Sequence, residues 1–165
     1  MEIVNTPLTN SAIINLLGHI QNVNDDKYRA GETLVLRNVR VLVVDDIDIN
    51  LIIAKETLSM YETNVDMAES AMEAIEMIKS NDYDMVFMDH MMPEIDGVDA
   101  TKMIRKLGGE KYKKLPIVAL TANVVGDAKD TLLENGLNDF LSKPLELKEV
   151  ERVFRKWLPK DKLIQ

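Results

Sequence analysis

Val41-Leu42-Val43-Val44-Asp45-Asp46 is the stretch that decides the fold. Its four apolar residues, three of them β-branched, show no polar alternation, so they read as a strand covered on both faces, as in the middle of a parallel sheet. Outward from it the same unit recurs, a short apolar run followed by a longer segment of helical period. A helix from about 48 to 61 sets Ile53, Ala54, Thr57, Leu58 and Tyr61 on one face. Further strands are predicted at 63–67, 85–88, 117–120 and 139–142. Ser70 is placed to cap a second helix whose inner face is Ala71, Ala74, Ile75 and Ile78. Helices around 98–107 and near 126–135 follow, and a last one carries Leu147, Val150, Phe154, Trp157 and Leu158 at three- and four-residue steps. Five such units predict an α/β sheet with helices on both faces.

The length of 165 residues and the 46% hydrophobic content fit one domain with a short surplus. The expected division is an N-terminal extension and linker over 1–37, the domain over 38–160 and a tail over 161–165. The absence of cysteine excludes disulfides, thiolate metal sites and cysteine nucleophiles. No apolar run is long enough for a membrane helix, and the first 20 residues lack a signal peptide's pattern, so a cytoplasmic location is expected. The net charge of −8 falls entirely in 41–165, because residues 1–40 hold four acids and four bases. Such a domain repels phosphate backbones and anionic bilayers, which argues against nucleic-acid or membrane partners. Lys111, Lys113 and Lys114, the one dense basic cluster, read as a solvated loop beside Gly108 and Gly109. Met67, Met72, Met77, Met85 and Met103 read as core.

The chemistry lies at the strand ends. The first strand runs into Asp45 and Asp46 and the third into Asp89, and parallel neighbours deliver these ends to one edge, where ligands bind in open α/β sheets. Three clustered carboxylates call for a cation, and an all-oxygen set suits Mg²⁺, with Mn²⁺ as a substitute. Thr121 ends the fourth strand and Lys143 follows the fifth, adding a hydroxyl and an ammonium. Together these groups can hold a phosphoryl group in line with an attacking oxygen.

At this point the chain resembles a response-regulator receiver domain. The matching pieces are Val41 to Asp46, Met88-Asp89-His90-Met91-Met92-Pro93-Glu94-Ile95-Asp96-Gly97, Ala119-Leu120-Thr121-Ala122, and Phe140-Leu141-Ser142-Lys143-Pro144-Leu145. The resemblance implies a flavodoxin-like, doubly wound five-stranded parallel sheet in the order 2-1-3-4-5. It implies that Asp89 is the phosphoacceptor and that Asp45, Asp46, Asp89 and the Met91 backbone carbonyl hold the metal. Thr121 and Lys143 would bind phosphoryl oxygens, and Phe140 would be the aromatic that reports the switch. The implied partners are a histidine kinase or histidine phosphotransfer domain, and a second copy through the fourth helix, fifth strand and final helix.

His90 follows the acceptor directly, but the residue after Asp89 should point away from the pocket, so it reads as structural. Met91 and Asn123 bear on the lifetime of the phosphorylated form. Ile47, Ile49, Leu51 and Ile52 form either an apolar docking patch or a surface covered by neighbouring loops. Ile3 to Leu8, with Thr6-Pro7-Leu8, echoes Phe140 to Leu145, which suggests the tail of a preceding degenerate receiver and a hybrid sensor histidine kinase as parent. With no output domain after Gln165, any effector is expected elsewhere. Two rivals stand beside this reading. One is a haloacid-dehalogenase-like phosphotransferase, because Asp46-Ile47-Asp48 copies the start of an Asp-x-Asp motif that Asn50 then breaks. The other is a receiver-shaped interaction module that is never phosphorylated.

Overall fold

The computed structural model describes residues 34–122 and 126–164, the side chains of 126–128 and 164 excepted. In chain order the elements are β1 (Val35–Leu36), β2 (Arg40–Val44), α1 (Asp48–Ser59), β3 (Asn64–Ala68), α2 (Ala71–Ser80), β4 (Met85–Asp89), α3 (Gly97–Arg105), α4 (Glu110–Lys114), β5 (Ile117–Thr121), α5 (Gly126–Glu134), β6 (Asp139–Ser142), α6 (Leu147–Trp157) and β7 (Leu163–Ile164). The main sheet has the order β3-β2-β4-β5-β6, all parallel, which is the expected 2-1-3-4-5.

Strand periodicity divides the core in two. Val41, Val43, Phe87, Val118, Leu120 and Leu141 face α1 and α6, where Leu58, Tyr61, Val150 and Phe154 meet them. Leu42, Val44, Val86, Met88, Ile117 and Ala119 face Ala74 and Ile75 of α2, Ala100 and Ile104 of α3, and Leu132 of α5. Phe154 stands edge-on to Tyr61 and Phe87, at centroid separations of 5.3 and 6.0 Å. Ser70 caps α2 through Glu73 N–H, and Asp96 caps α3 through Asp99 N–H at 2.9 Å.

The expected domain bounds of 38–160 leave out structure at both ends. Leu34, Leu36 and Val39 are buried in the α1/α6 core, and β1 pairs antiparallel with β7. A two-residue strand carries no periodic signal, which is why the sequence read only a linker and a tail there. The suggested receiver tail in 1–20 lies outside the described residues, as does Asn123. The lysine cluster sits on the short helix α4, where Lys111 pairs with Asp82 at 2.9 Å and Lys114 with Glu110. Met85 is core as expected, whereas Met72 and Met103 are exposed on the outer faces of α2 and α3. No helix among the described residues is long and apolar enough to cross a membrane.

Candidate functional site

β2 and β4 are hydrogen-bonded neighbours whose carboxyl ends point the same way, so Asp45, just past β2, meets Asp89, the last residue of β4. Oxygens of Asp45, Asp46 and Asp89 lie within 4.8 Å of one another. Asp45 and Asp89 are 1% and 4% exposed, while Asp46 opens to solvent. Lys143 Nζ reaches in from beyond β6, 2.9 Å from both Asp45 Oδ2 and Asp89 Oδ1. Its backbone N–H donates to the Thr121 carbonyl at 2.9 Å, which fixes the loop that carries it.

Backbone and amide donors add to these bonds. Asp45 Oδ1 accepts Ile47 N–H at 3.0 Å and the Asn50 amide at 3.4 Å, and Asp89 Oδ1 accepts Met91 N–H at 3.3 Å. Burial, and then the charge of Asp45, push Asp89 above the ordinary carboxylate range, against the pull of Lys143 and Met91 N–H. Burial works to lower Lys143, but its bonds to Asp89 and Asp45 outweigh that and raise it. Asp45 and Asp89 thus share one ammonium with Asp46 beside them, and the negative charge left over suits a hard divalent cation.

The geometry gathers Asp45, Asp46, Asp89 and Lys143, as the sequence led one to expect, and sets Thr121, buried, at the neighbouring strand end. The Met91 peptide lies against Asp89 while its side chain is 73% exposed. Phe140 is outside the acid pocket. It is half-buried on the α5 side of β6, and the Lys129 ammonium stands 5.3 Å from its ring centroid. His90 is held by its backbone, donating to Leu120 O and accepting from Gly97 N–H. Asp48 begins α1 and lies against Glu69, whose carboxyl its charge raises, so Asp46-Ile47-Asp48 does not act as a pair at the site.

Two contributors were missed in the sequence. Asn50, treated only as a motif breaker, is in the first turn of α1, and its amide folds back over Asp45; the legible signal was an amide on the first turn after the acid pair. Gly97 stood in the sequence only as the end of the Met88-to-Gly97 segment, and its role is the close passage of its backbone over Asp89. Of the apolar residues after the acids, Leu51 belongs to the core, whereas Ile47 and Ile52 are 50% and 52% exposed. Beside them a pocket of about 290 Å³ opens between α1 and the β6–α6 loop, lined by Asn50, Ile53, Ala54, Pro144 and Leu145, with Asp45 and Lys143 at its polar end.

The sequence model of the response regulator receiver domain family matches residues 41–155. The sensor histidine kinase GacS of Pseudomonas protegens is 37% identical over 127 residues, covering 76% of this chain; the chain spans 14% of that protein's length. Among solved structures, the receiver domain of sensor histidine kinase PA1611 from Pseudomonas aeruginosa PAO1, with a magnesium ion coordinated in its active site cleft, superposes with a TM-score of 0.66. It is 30% identical over 73% of this chain and 98% of that one. The receiver domain of Ssk1, solved with the histidine phosphotransfer protein Ypd1 of Saccharomyces cerevisiae, gives a TM-score of 0.69 at 30% identity, over 79% of this chain and 96% of that one.

Proposed function

The chain belongs to the response regulator receiver domain family, the receiver component of two-component phosphorelays, and from that premise we propose that Asp89 is the residue that takes the phosphoryl group. The observation that carries this assignment is the buried Asp89 carboxylate, which shares Lys143 with Asp45 at the mouth of the sheet. An Asp89 oxygen attacks the phosphorus of a partner's phosphohistidine; the P–N bond breaks, its electron pair stays on the imidazole nitrogen, and an acyl phosphate forms. Lys143 offsets the repulsion between the two anions and Thr121 donates its hydroxyl to a phosphoryl oxygen. Asp45, Asp46, Asp89 and the Met91 carbonyl would hold Mg²⁺, or Mn²⁺ in its place, which would supply positive charge to offset the repulsion between carboxylate and phosphate.

The phosphoryl donor is a histidine kinase or histidine phosphotransfer domain, docking where Ile47, Ile52 and the Pro144–Leu145 pocket adjoin the acids. The α5–β6–α6 face is the switch surface and the site of any self-association. The likeness to one segment of GacS supports a parent of the hybrid sensor kinase kind, with a cytoplasmic receiver. Incubation with acetyl phosphate and Mg²⁺, followed by borohydride reduction and peptide mass spectrometry, should place one modification on Asp89, lost in Asp89→Asn. Modification at His90, or its persistence in Asp89→Asn, refutes the assignment; persistence there with loss in Asp46→Asn instead favours the dehalogenase-like rival.

A further inference from the structure

At the end of the sheet opposite the acids, the chain's first and last described residues are fastened together. α6 closes with Leu158 N–H on Phe154 O at 3.0 Å, and Pro159, which cannot prolong a helix, turns the chain out. A single 3₁₀ turn over Lys160–Lys162 then leads into β7. β7 pairs with β1, Val35 opposite Ile164 and Leu36 opposite Leu163, and Arg37 N–H donates to Lys162 O at 2.8 Å. Lys162 Nζ extends the fastening, donating to Asn38 O at 3.1 Å and to Asp84 Oδ1 at 2.7 Å, just before β4.

A second link ties β1 to α6 through the core. Leu36 N–H donates to Tyr61 O at 3.2 Å, the Tyr61 ring stands against Phe154 of α6, and its hydroxyl donates to Leu147 O at the start of α6. Leu34 and Leu36 lie in one buried cluster with Val150, Val153 and Phe154. β1 is therefore bound to both ends of α6, by the ribbon at its C-terminal end and by Tyr61 at its N-terminal end. Close-packed groups of this kind pass on a displacement instead of absorbing it.

We propose that the β1–β7 ribbon is a joint through which a phosphorylation-driven change at α6 is returned to the chain before residue 34, so that the receiver acts on its own upstream segment. The proposal rests on the receiver reading above and adds the direction in which its signal leaves.

The test is amide exchange by NMR on the full 165-residue chain, with and without Mg²⁺ and beryllofluoride as phosphoryl mimic. The mimic should change the exchange of the Leu36 and Arg37 amides by about five-fold or more, a shift well within the range of local opening equilibria. Leu163→Ser, which weakens the β1–β7 pairing, should at least halve that response at Arg37 while Thr121 and Lys143 still respond, and Lys162→Met, which removes only the ties to Asn38 and Asp84, should leave it in place. A response confined to the acid edge overturns the joint and leaves the receiver reading standing, and so does a ribbon response undiminished in Leu163→Ser. A mimic that perturbs no residue overturns both.

Discussion

Gly97 passes so close to Asp89 that a Cβ on it would stand 2.5 Å from the Asp89 backbone carbonyl oxygen and 3.1 Å from His90 Cα. Only the lack of a side chain lets the β4–α3 loop close over the strand end, where Gly97 N–H reaches His90 O. Gly97→Ala must therefore push the loop away from a rigid backbone. The expected cost is about 1–3 kcal/mol in urea unfolding. Slower labelling of Asp89 by acetyl phosphate should accompany it, because Met91 N–H leaves the carboxylate. A variant as stable and as fast as the parent would show that the loop gives way at no cost.

Asp45 and Asp46 should not be equivalent toward Mg²⁺. Asp45 is buried and already holds Ile47 N–H, Asn50 and Lys143, whereas Asp46 faces solvent with its charge available to an incoming ion. Calorimetric titration of Asp46→Ala should show affinity lowered about ten-fold or more, since a charged ligand is lost from a hard-ion site. Asn50→Ala, which removes one tie on Asp45, should change it much less. Equal affinity in Asp46→Ala and the parent would remove Asp46 from the ion's ligands.

Asp139 gives the fold a pH dependence of definite sign. Burial raises its carboxyl, but Arg152 at 3.0 Å, Trp157 Nε1 at 2.9 Å and Phe140 N–H at 2.8 Å outweigh it, holding Asp139 below its ordinary value. A carboxyl depressed on folding contributes stability above its unfolded value, about 3.9, and loses it as pH falls through the folded value. Asp139→Asn should thus cost about 1.5–3 kcal/mol at pH 7. The gap to the parent should close on acidification below about pH 4. A gap independent of pH would mean that shape, not charge, holds Arg152 and Trp157.

What the sequence made legible were features with period or type. β2, α2 and α6 follow from apolar spacing, and Asp45, Asp46, Asp89 and Lys143 follow from strand-end placement, because parallel pairing turns sequence position into spatial position. Hidden were contacts that depend on how far a chain folds back. Asn50 returns to Asp45 only because α1 starts where it does, and β1 finds β7 across the whole length of the domain. Arg105 is of the same kind: its guanidinium binds the carbonyls of Tyr112, Leu115 and Gly136 and the Asn138 side chain, acceptors from α4 and from the two loops that flank β5 and β6, which no local pattern announces.

The last expectation concerns Thr121 and Phe140. β5 and β6 set Thr121 beside Ser142 and Ala119 beside Phe140, so the hydroxyl and the ring belong to adjacent strands on either side of the α5 connection. A phosphoryl group on Asp89 shifts the equilibrium only by contacts it makes better in one state. A Thr121 hydroxyl bond to a charged oxygen, about 1.5–3 kcal/mol, is such a contact. Drawing Thr121 toward Asp89 opens room for Phe140, whose ring then leaves the Lys129 ammonium now 5.3 Å from its centroid. With beryllofluoride and Mg²⁺, the parent should show shifts of the Phe140 ring protons and of amides across 139–158. Thr121→Ala should still be labelled at Asp89 by acetyl phosphate, but with those distant shifts lost. Equal shifts in both proteins would place the coupling elsewhere, and Lys143, whose ammonium binds Asp89 while its backbone N–H holds the Thr121 carbonyl, would be the next residue to replace.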